Sequence, residues 1–163
     1  MTLGTNFRPI YSVAVESPLE PDLDLLFARH TAHCLADTPP ESMHMMDRSG
    51  MDVSGITFLV LRNAGTPIAM GALKRLDQSV VELKSMHVLS EARGTGAAGR
   101  ILEALIEAAR DMGAAAIRLE TGTQDSFAAA RALYYRAGFT DSTPFADYRE
   151  DPNSVYMVLH LKG

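Results

Sequence analysis

The sequence predicts an α/β domain built on one mixed, mostly antiparallel sheet flanked by helices, and three observations predict it. The stretch 81–112 changes hydrophobic period partway. Val81, Leu83 and Val88 interleave with polar residues; beyond Gly94 and Gly96, the apolar positions Ala98, Ile101, Leu102, Leu105, Ala109 and Met112 share one helical face. Upstream, alternating apolar runs follow one another on short turns, the pattern of an antiparallel meander. Downstream, residues 114–120 form a strand that follows a helix and therefore runs parallel to strand 81–88.

Taken in order, residues 1–9 are a lead-in, and 10–16 alternate as a first strand with Tyr11, Val13 and Val15 on one face. Pro18 and Pro21 flank a helix start, with Asp22 and Asp24 in the first turn where the dipole favours acids. Leu23, Leu26 and Phe27 supply its apolar stripe, and the helix runs to about residue 36 before a Pro-rich loop. Met43, Met45, Met46 and Met51 are adaptable apolar surface, suited to core filling or to a pocket wall that His44 would join as a polar contact. Residues 57–62 and 68–76 are strands around a turn at 63–67, and 77–79 turn into strand 81–88. Gly113 is placed to end the helix that follows. A further helix spans 126–136, with Phe127, Ala130 and Leu133 at spacing three, and 155–161 alternate as a final strand. The order is β-α-(α)-β-β-β-α-β-α-β-β, in one domain over residues 1–163 with no repeat or internal boundary.

Composition narrows the function. At 163 residues and 47% hydrophobic, the chain can bury a substantial core. A net charge of −5 without a basic run argues against a nucleic-acid partner and suits a cationic amine. Cys34 is the only cysteine, which rules out an intrachain disulfide and fits a reducing compartment. No secretory signal pattern opens the chain, and the apolar run 56–61 is too short to span a bilayer. The expectation is a soluble, cytoplasmic protein without a membrane partner.

His30, His33 and Cys34 stand at i, i+3 and i+4 and could present three ligands, but a structural metal site wants a fourth ligand and a second element. The expectation is no metal and a polar helix flank with one packed cysteine. The glycine turn is more informative. Small residues from Gly94 to Ala98 allow close backbone approach, the first N–H groups of the next helix lack carbonyl partners, and Arg93 adds charge: a pyrophosphate-sized anion site, or more plainly a tight turn.

Two motifs together resemble a family. Arg93-Gly94-Thr95-Gly96-Ala97-Ala98 fits the Arg/Gln-x-x-Gly-x-Gly/Ala signature of the GNAT family of N-acetyltransferases, and Leu133-Tyr134-Tyr135-Arg136-Ala137-Gly138-Phe139 fits its Leu-Tyr-x-x-x-Gly-Phe signature. They come in the family's order and at its usual separation, and the resemblance covers about residues 56–161. It implies acetyl-CoA as co-substrate and transfer of its acetyl group to an amine. Residues 93–98 would hold the pyrophosphate. The pantetheine would pair like an extra strand with the backbone of Met86, His87 and Val88, where a β-bulge and a splayed neighbouring strand are expected. Many members carry asparagine seven residues before the motif tyrosine; here Phe127 stands there, so a polar contact is lost or supplied by Ser126.

An alkyl amine with a pKa of about 10.4 must lose a proton before it attacks. Glu82 is the candidate base: a carboxylate in mid-strand, near where family members often carry a catalytic glutamate. At period two, Glu82, Lys84 and Met86 share a face, with Glu82 and Lys84 about 6.6 Å apart along the strand. If their side chains meet, Lys84 weakens Glu82 as a base and may instead anchor a substrate carboxylate; a solvent-facing ion pair is the plainer reading. Tyr134 is the candidate acid, hydrogen-bonding the sulfur as charge develops on it, while Tyr135, about 100° around the helix, faces elsewhere. Asp147, Tyr148 and Asn153, in a loop resembling a bacterial subset of the family, are candidates to shape the acceptor pocket; a structural turn is equally open. The function expected is N-acetyl transfer to a small or amino-acid-like amine. The alternatives are a non-catalytic acyl-CoA sensor, another acyl group, or a hydroxyl acceptor. An exposed sheet edge is compatible with a homodimer.

Overall fold

The structure, a computed structural model, describes residues 10–161; the lead-in 1–9 lies outside them. Its strands are β1 (Tyr11–Val15), β2 (Ile56–Asn63), β3 (Thr66–Arg75), β4 (Val80–Val88), β5 (Ala116–Gly122), β6 (Thr140–Ser142) and β7 (Ser154–His160). Its helices are α1 (Asp24–Asp37), α2 (Ala97–Asp111) and α3 (Ala128–Arg136). The helix bracketed before the meander is absent: that segment carries only short 3₁₀ turns at Pro40–Ser42 and Ser49–Met51.

The strands form one seven-stranded sheet in the order β1-β2-β3-β4-β5-β7-β6. β1 to β4 run antiparallel in sequence, β4 and β5 are parallel, and β7 returns antiparallel between β5 and β6. The parallel pair arises because α2 carries the chain from one end of β4 back to the start of β5. α2 ends where expected: Gly113 is left-handed, its N–H donates to Arg110, and that of Ala114 donates to Ala109.

The sheet buries both faces. On one, Leu59, Leu61, Leu73, Val81 and Leu83 pack with the α2 residues Ile101, Leu102 and Leu105 and with Tyr134 and Phe139. On the other, Val60, Met70 and Ala72 pack with Leu23, just before α1, and with Leu26 and Phe27 in its first turn, and Met51 completes this layer. The methionines therefore divide: Met51 is core, Met46 packs beside it, and Met43 and Met45 line the cleft described below. Val13 and Val15, read on one face of the first strand, are exposed where β1 forms the sheet's outer edge. Arg62 ties β2 to the segment before α1 through ion pairs to Glu16 at 2.7 Å and Asp22 at 2.6 Å.

Candidate active site

The site begins with an irregularity in β4. Between the pairs Ala72↔Lys84 and Met70↔His87, two steps on β3 span three on β4, so β4 carries one extra residue. Ser85 absorbs it in a left-handed conformation, φ 56°. Pairing of β4 with β5 stops at Leu83↔Leu119, although β4 continues to Val88 and β5 to Gly122. The expected bulge and splay are both present, and the gap opens into a cleft of about 1000 Å³.

The bulge corrects one expectation. Glu82 and Lys84 share the α1 face, because they pair with Lys74 and Ala72 of β3. Met86 does not join them: the extra residue reverses the alternation, and Met86 packs in the opposite layer, its sulfur 3.7 Å from the Tyr134 hydroxyl. His87 points back toward α1, where its ring lies against His30 and His33.

One wall of the cleft is largely backbone. Met86, His87, Val88, Arg93, Gly94, Gly96, Ala97 and Ala98 line it, with Ser126 and Phe127 opposite. Gly94 and Gly96 have φ values of 77° and 85°, and a Cβ on either would meet no atom within 4 Å. The space is open for a ligand, and the conformation disfavours any residue with a side chain. Gly96 is the N-cap of α2 and no side chain caps that helix, so its first N–H groups face the cleft entrance unpartnered by a cap. Thr95 departs from the expected lining: its hydroxyl donates to the Ala92 carbonyl and its own carbonyl accepts from Tyr11, so it builds the turn from outside. An open glycine turn, an unpaired strand edge and a cleft of about 1000 Å³ fit an acyl-CoA.

Tyr134 stands at the base of this wall, 6% exposed. Burial, with the Glu120 charge adding, pushes its phenol well above the usual range, so it stays protonated and remains a donor. Tyr135 is 45% exposed and bonds Asp141 at 2.5 Å, away from the cleft, as the helical offset requires.

The other wall is made of side chains. Glu82 is 3% exposed. That overturns the reading of a solvent-facing strand edge, since β4 lies mid-sheet beneath α1 and the 144–154 loop. The Tyr148 hydroxyl donates to Glu82 Oε2 at 2.6 Å, and Lys84 Nζ donates to the Tyr148 oxygen at 3.0 Å and to Glu82 Oε2 at 3.4 Å. Lys84 is thus held by partners within the protein and is not poised as an anchor for a substrate carboxylate. Burial and the Glu82 carboxylate push the Tyr148 phenol upward. The His44 ring meets the Tyr148 ring edge-on at 5.0 Å. Asn153 lines the cleft and donates to Ser42 at 3.3 Å. Asp147 is exposed and is not part of the lining: the turn through left-handed Ala146 sends Tyr148 inward and Asp147 out.

Sequence reasoning missed Glu120. It lies on β5 just past the last β4 pair, lines the cleft and accepts from Ser154 at 2.9 Å. Burial pushes its carboxyl upward, against the pull of Ser154, His44 and Lys84. The strand read at 114–120 ends on it, so it did not stand out as a mid-strand carboxylate; the structure carries β5 on to Gly122. Sequence reasoning also set aside His30 and His33, which the structure brings over His87 with ring separations of 5.3 and 6.0 Å. Burial lowers His30 and His87 to about 4, so both rings are neutral. Cys34, on the same flank, is pushed up to about 11 by burial and stays a thiol. Among the described residues, no group of His, Cys, Asp or Glu is arranged to hold a metal ion.

Fold and cleft together define an acyl-CoA N-acyltransferase architecture. A Klebsiella pneumoniae structure described provisionally as an acyl-CoA N-acyltransferase superposes with a TM-score of 0.76 and 27% identity, covering 94% of this chain and 99% of that one. The yncA structure from Salmonella typhimurium, solved with acetyl-CoA, shares the fold at a TM-score of 0.68 and 17% identity, over 93% of this chain and 94% of that one. The family model for the acetyltransferase (GNAT) family matches residues 22–139. The chain belongs to that family and is an acyltransferase. Uncharacterized N-acetyltransferase YedL of Escherichia coli strain K12 is 36% identical over 152 residues, 93% of this chain and 96% of that protein. The IAA acetyltransferase of Azospirillum brasilense is 36% identical over 155 residues, 94% of this chain and 99% of that protein.

Proposed function

We propose that this protein transfers the acetyl group of acetyl-CoA directly to the amine of a small molecule. The observation that carries the reading is a buried glutamate at the point where β4 and β5 part, in one cleft with the uncapped start of α2. The α2 N-terminus and Arg93 receive the pyrophosphate. The backbone of residues 86–88 pairs with the pantetheine, and an N–H there donates to the carbonyl oxygen as it becomes an oxyanion. Ser126 and Phe127 close the far side of the channel.

Glu82 accepts the amine's proton. Its Oε2 is occupied by Tyr148 and Lys84, while Oε1 accepts no hydrogen bond from the described residues and is left for the acceptor or an intervening water. The amine nitrogen then bonds to the thioester carbon, the C–S bond breaks, and Tyr134 donates to the departing sulfur. His44, Tyr148 and Asn153 shape the acceptor end. No helix among the described residues is long and apolar enough to cross a membrane, and we place the reaction in the cytoplasm, where acetyl-CoA is made available. The outer edge of β1, where Ile10 and Val15 are each 68% exposed, supports pairing of two copies.

Release of free CoA thiol, followed across a panel of amines, tests the reading. Acetyl-CoA binding with amine-dependent thiol release is expected. Binding without turnover for every amine would make the protein an acyl-CoA sensor instead.

A further inference from the structure

Resting on the acyl-transfer reading above, we propose that the acceptor is an amine with no carboxylate beside it: a cationic amine on an apolar or aromatic body, and not an α-amino acid. The charges at the acceptor end carry this. Two carboxylates, Glu82 and Glu120, face the cleft there, against one ammonium, Lys84. That ammonium is committed to the Tyr148 oxygen at 3.0 Å and to Glu82 at 3.4 Å, and its side chain is largely buried. Turning Lys84 toward a substrate carboxylate would leave Glu82 buried and without its cation, which is strongly unfavourable.

Apart from the His44 imidazole, no other described side chain offers a cation there. Arg93 and Arg136 also line the cleft, but at the α2 turn and the end of α3. His30 and His87 are held neutral by burial. An incoming ammonium therefore meets two carboxylates, and an incoming carboxylate meets the same two with only the His44 imidazole to answer it. The remaining surface at this end, Met43, Met45 and the edge-on rings of His44 and Tyr148, suits the apolar body of such an amine.

The test is thiol release from acetyl-CoA by the wild-type protein at pH 8.5, above the range in which histidines usually titrate. Acceptors are offered as matched pairs: phenethylamine with phenylalanine, tyramine with tyrosine, histamine with histidine. The amide of each amino acid is a third member that keeps the bulk and removes the charge. The amines should exceed their amino acids in kcat/KM by at least about tenfold, with the amides ranking beside the amines. Equal or better use of the amino acids would overturn the inference and leave acetyl transfer standing. No turnover with any member, with acetyl-CoA binding intact by calorimetry, would overturn acetyl transfer and the inference with it. In a folded Glu120→Gln protein the amine-to-amino-acid ratio should shrink severalfold. A ratio unmoved by that change would overturn the charge argument.

Discussion

The two walls of the cleft are built differently. The wall from Met86 to Ala98 works through backbone: a bulge, two left-handed glycines and an uncapped helix start. The facing wall works through side chains gathered from separate places: His44 ahead of β2, Glu82 and Lys84 on β4, Glu120 on β5 and Tyr148 in the loop before β7. A backbone device recognises what every acyl-CoA shares, and it tolerates few substitutions. A side-chain constellation is free to vary with the acceptor. The first should answer mutation through cofactor affinity, the second through turnover and selectivity.

The largest effect should come from the side-chain wall. Glu82→Gln keeps shape and removes the base, so limiting turnover should fall by more than a hundredfold at neutral pH and partly recover as the amine loses its own proton in alkaline solution. A rate–pH profile with saturating amine checks this. A wild-type-like profile would remove Glu82 from the chemistry; weaker acceptor binding at an unchanged limiting rate would make it a cation-recognising residue.

Next comes the residue where the walls meet. Tyr134→Phe should lower kcat by up to about a hundredfold and leave acetyl-CoA affinity nearly intact, since its hydroxyl acts on charge that appears only during reaction. Tyr135→Phe, which loses only a surface bond to Asp141, should change kcat little. If Tyr135→Phe proved the more damaging, the acid would have been assigned to the wrong residue.

A smaller effect should mark the backbone wall. Gly96→Val places a branched side chain at φ 85° in space the structure leaves open. Acetyl-CoA affinity should weaken about tenfold, or about 1.4 kcal/mol, by calorimetry. Unchanged affinity in a folded variant would show that the cradle lies elsewhere.

The smallest effect concerns the imidazoles between the walls. His30 and His87 have folded pKa values near 4, below the usual 6.5. The unfolded chain therefore takes up these protons first, and the stability from neutral rings is present above pH 6.5 and lost as pH falls toward 4. Urea unfolding should show lower stability at pH 5 than at pH 7. A His30→Gln, His87→Gln double variant should flatten that difference; an equally steep loss would locate the acid sensitivity in other groups.

The same contrast decided what could be read in the sequence. The backbone wall was legible because its devices have local signatures: glycines at 94 and 96, a switch from period two to the helical face through Ile101 and Leu105, a helix-ending Gly113. Tyr134 was separable from Tyr135 by helical angle alone. The side-chain wall was legible only residue by residue. Glu82 stood out as a mid-strand carboxylate, but Glu120 was passed over, because it closed the strand read at 114–120 and nothing local says which strand faces which loop. His30 and His33 read as a helix flank until α1 was laid across β4. Asp147 and Tyr148 are adjacent, and only the left-handed turn at Ala146 decides which one enters. Met86 was assigned to the face of Glu82 because counting in twos cannot register an extra residue.

That extra residue, Ser85, has a consequence for anyone redesigning the protein. It acts as a frameshift in the pleat, so the parity rule changes at one position. Up to residue 84 the even positions of β4 face α1, and beyond the bulge the odd position 87 does. A library along this strand should therefore count faces separately on the two sides of Ser85. Deleting Ser85 would remove the bulge and restore plain alternation, with Met86 and His87 keeping the faces they already have.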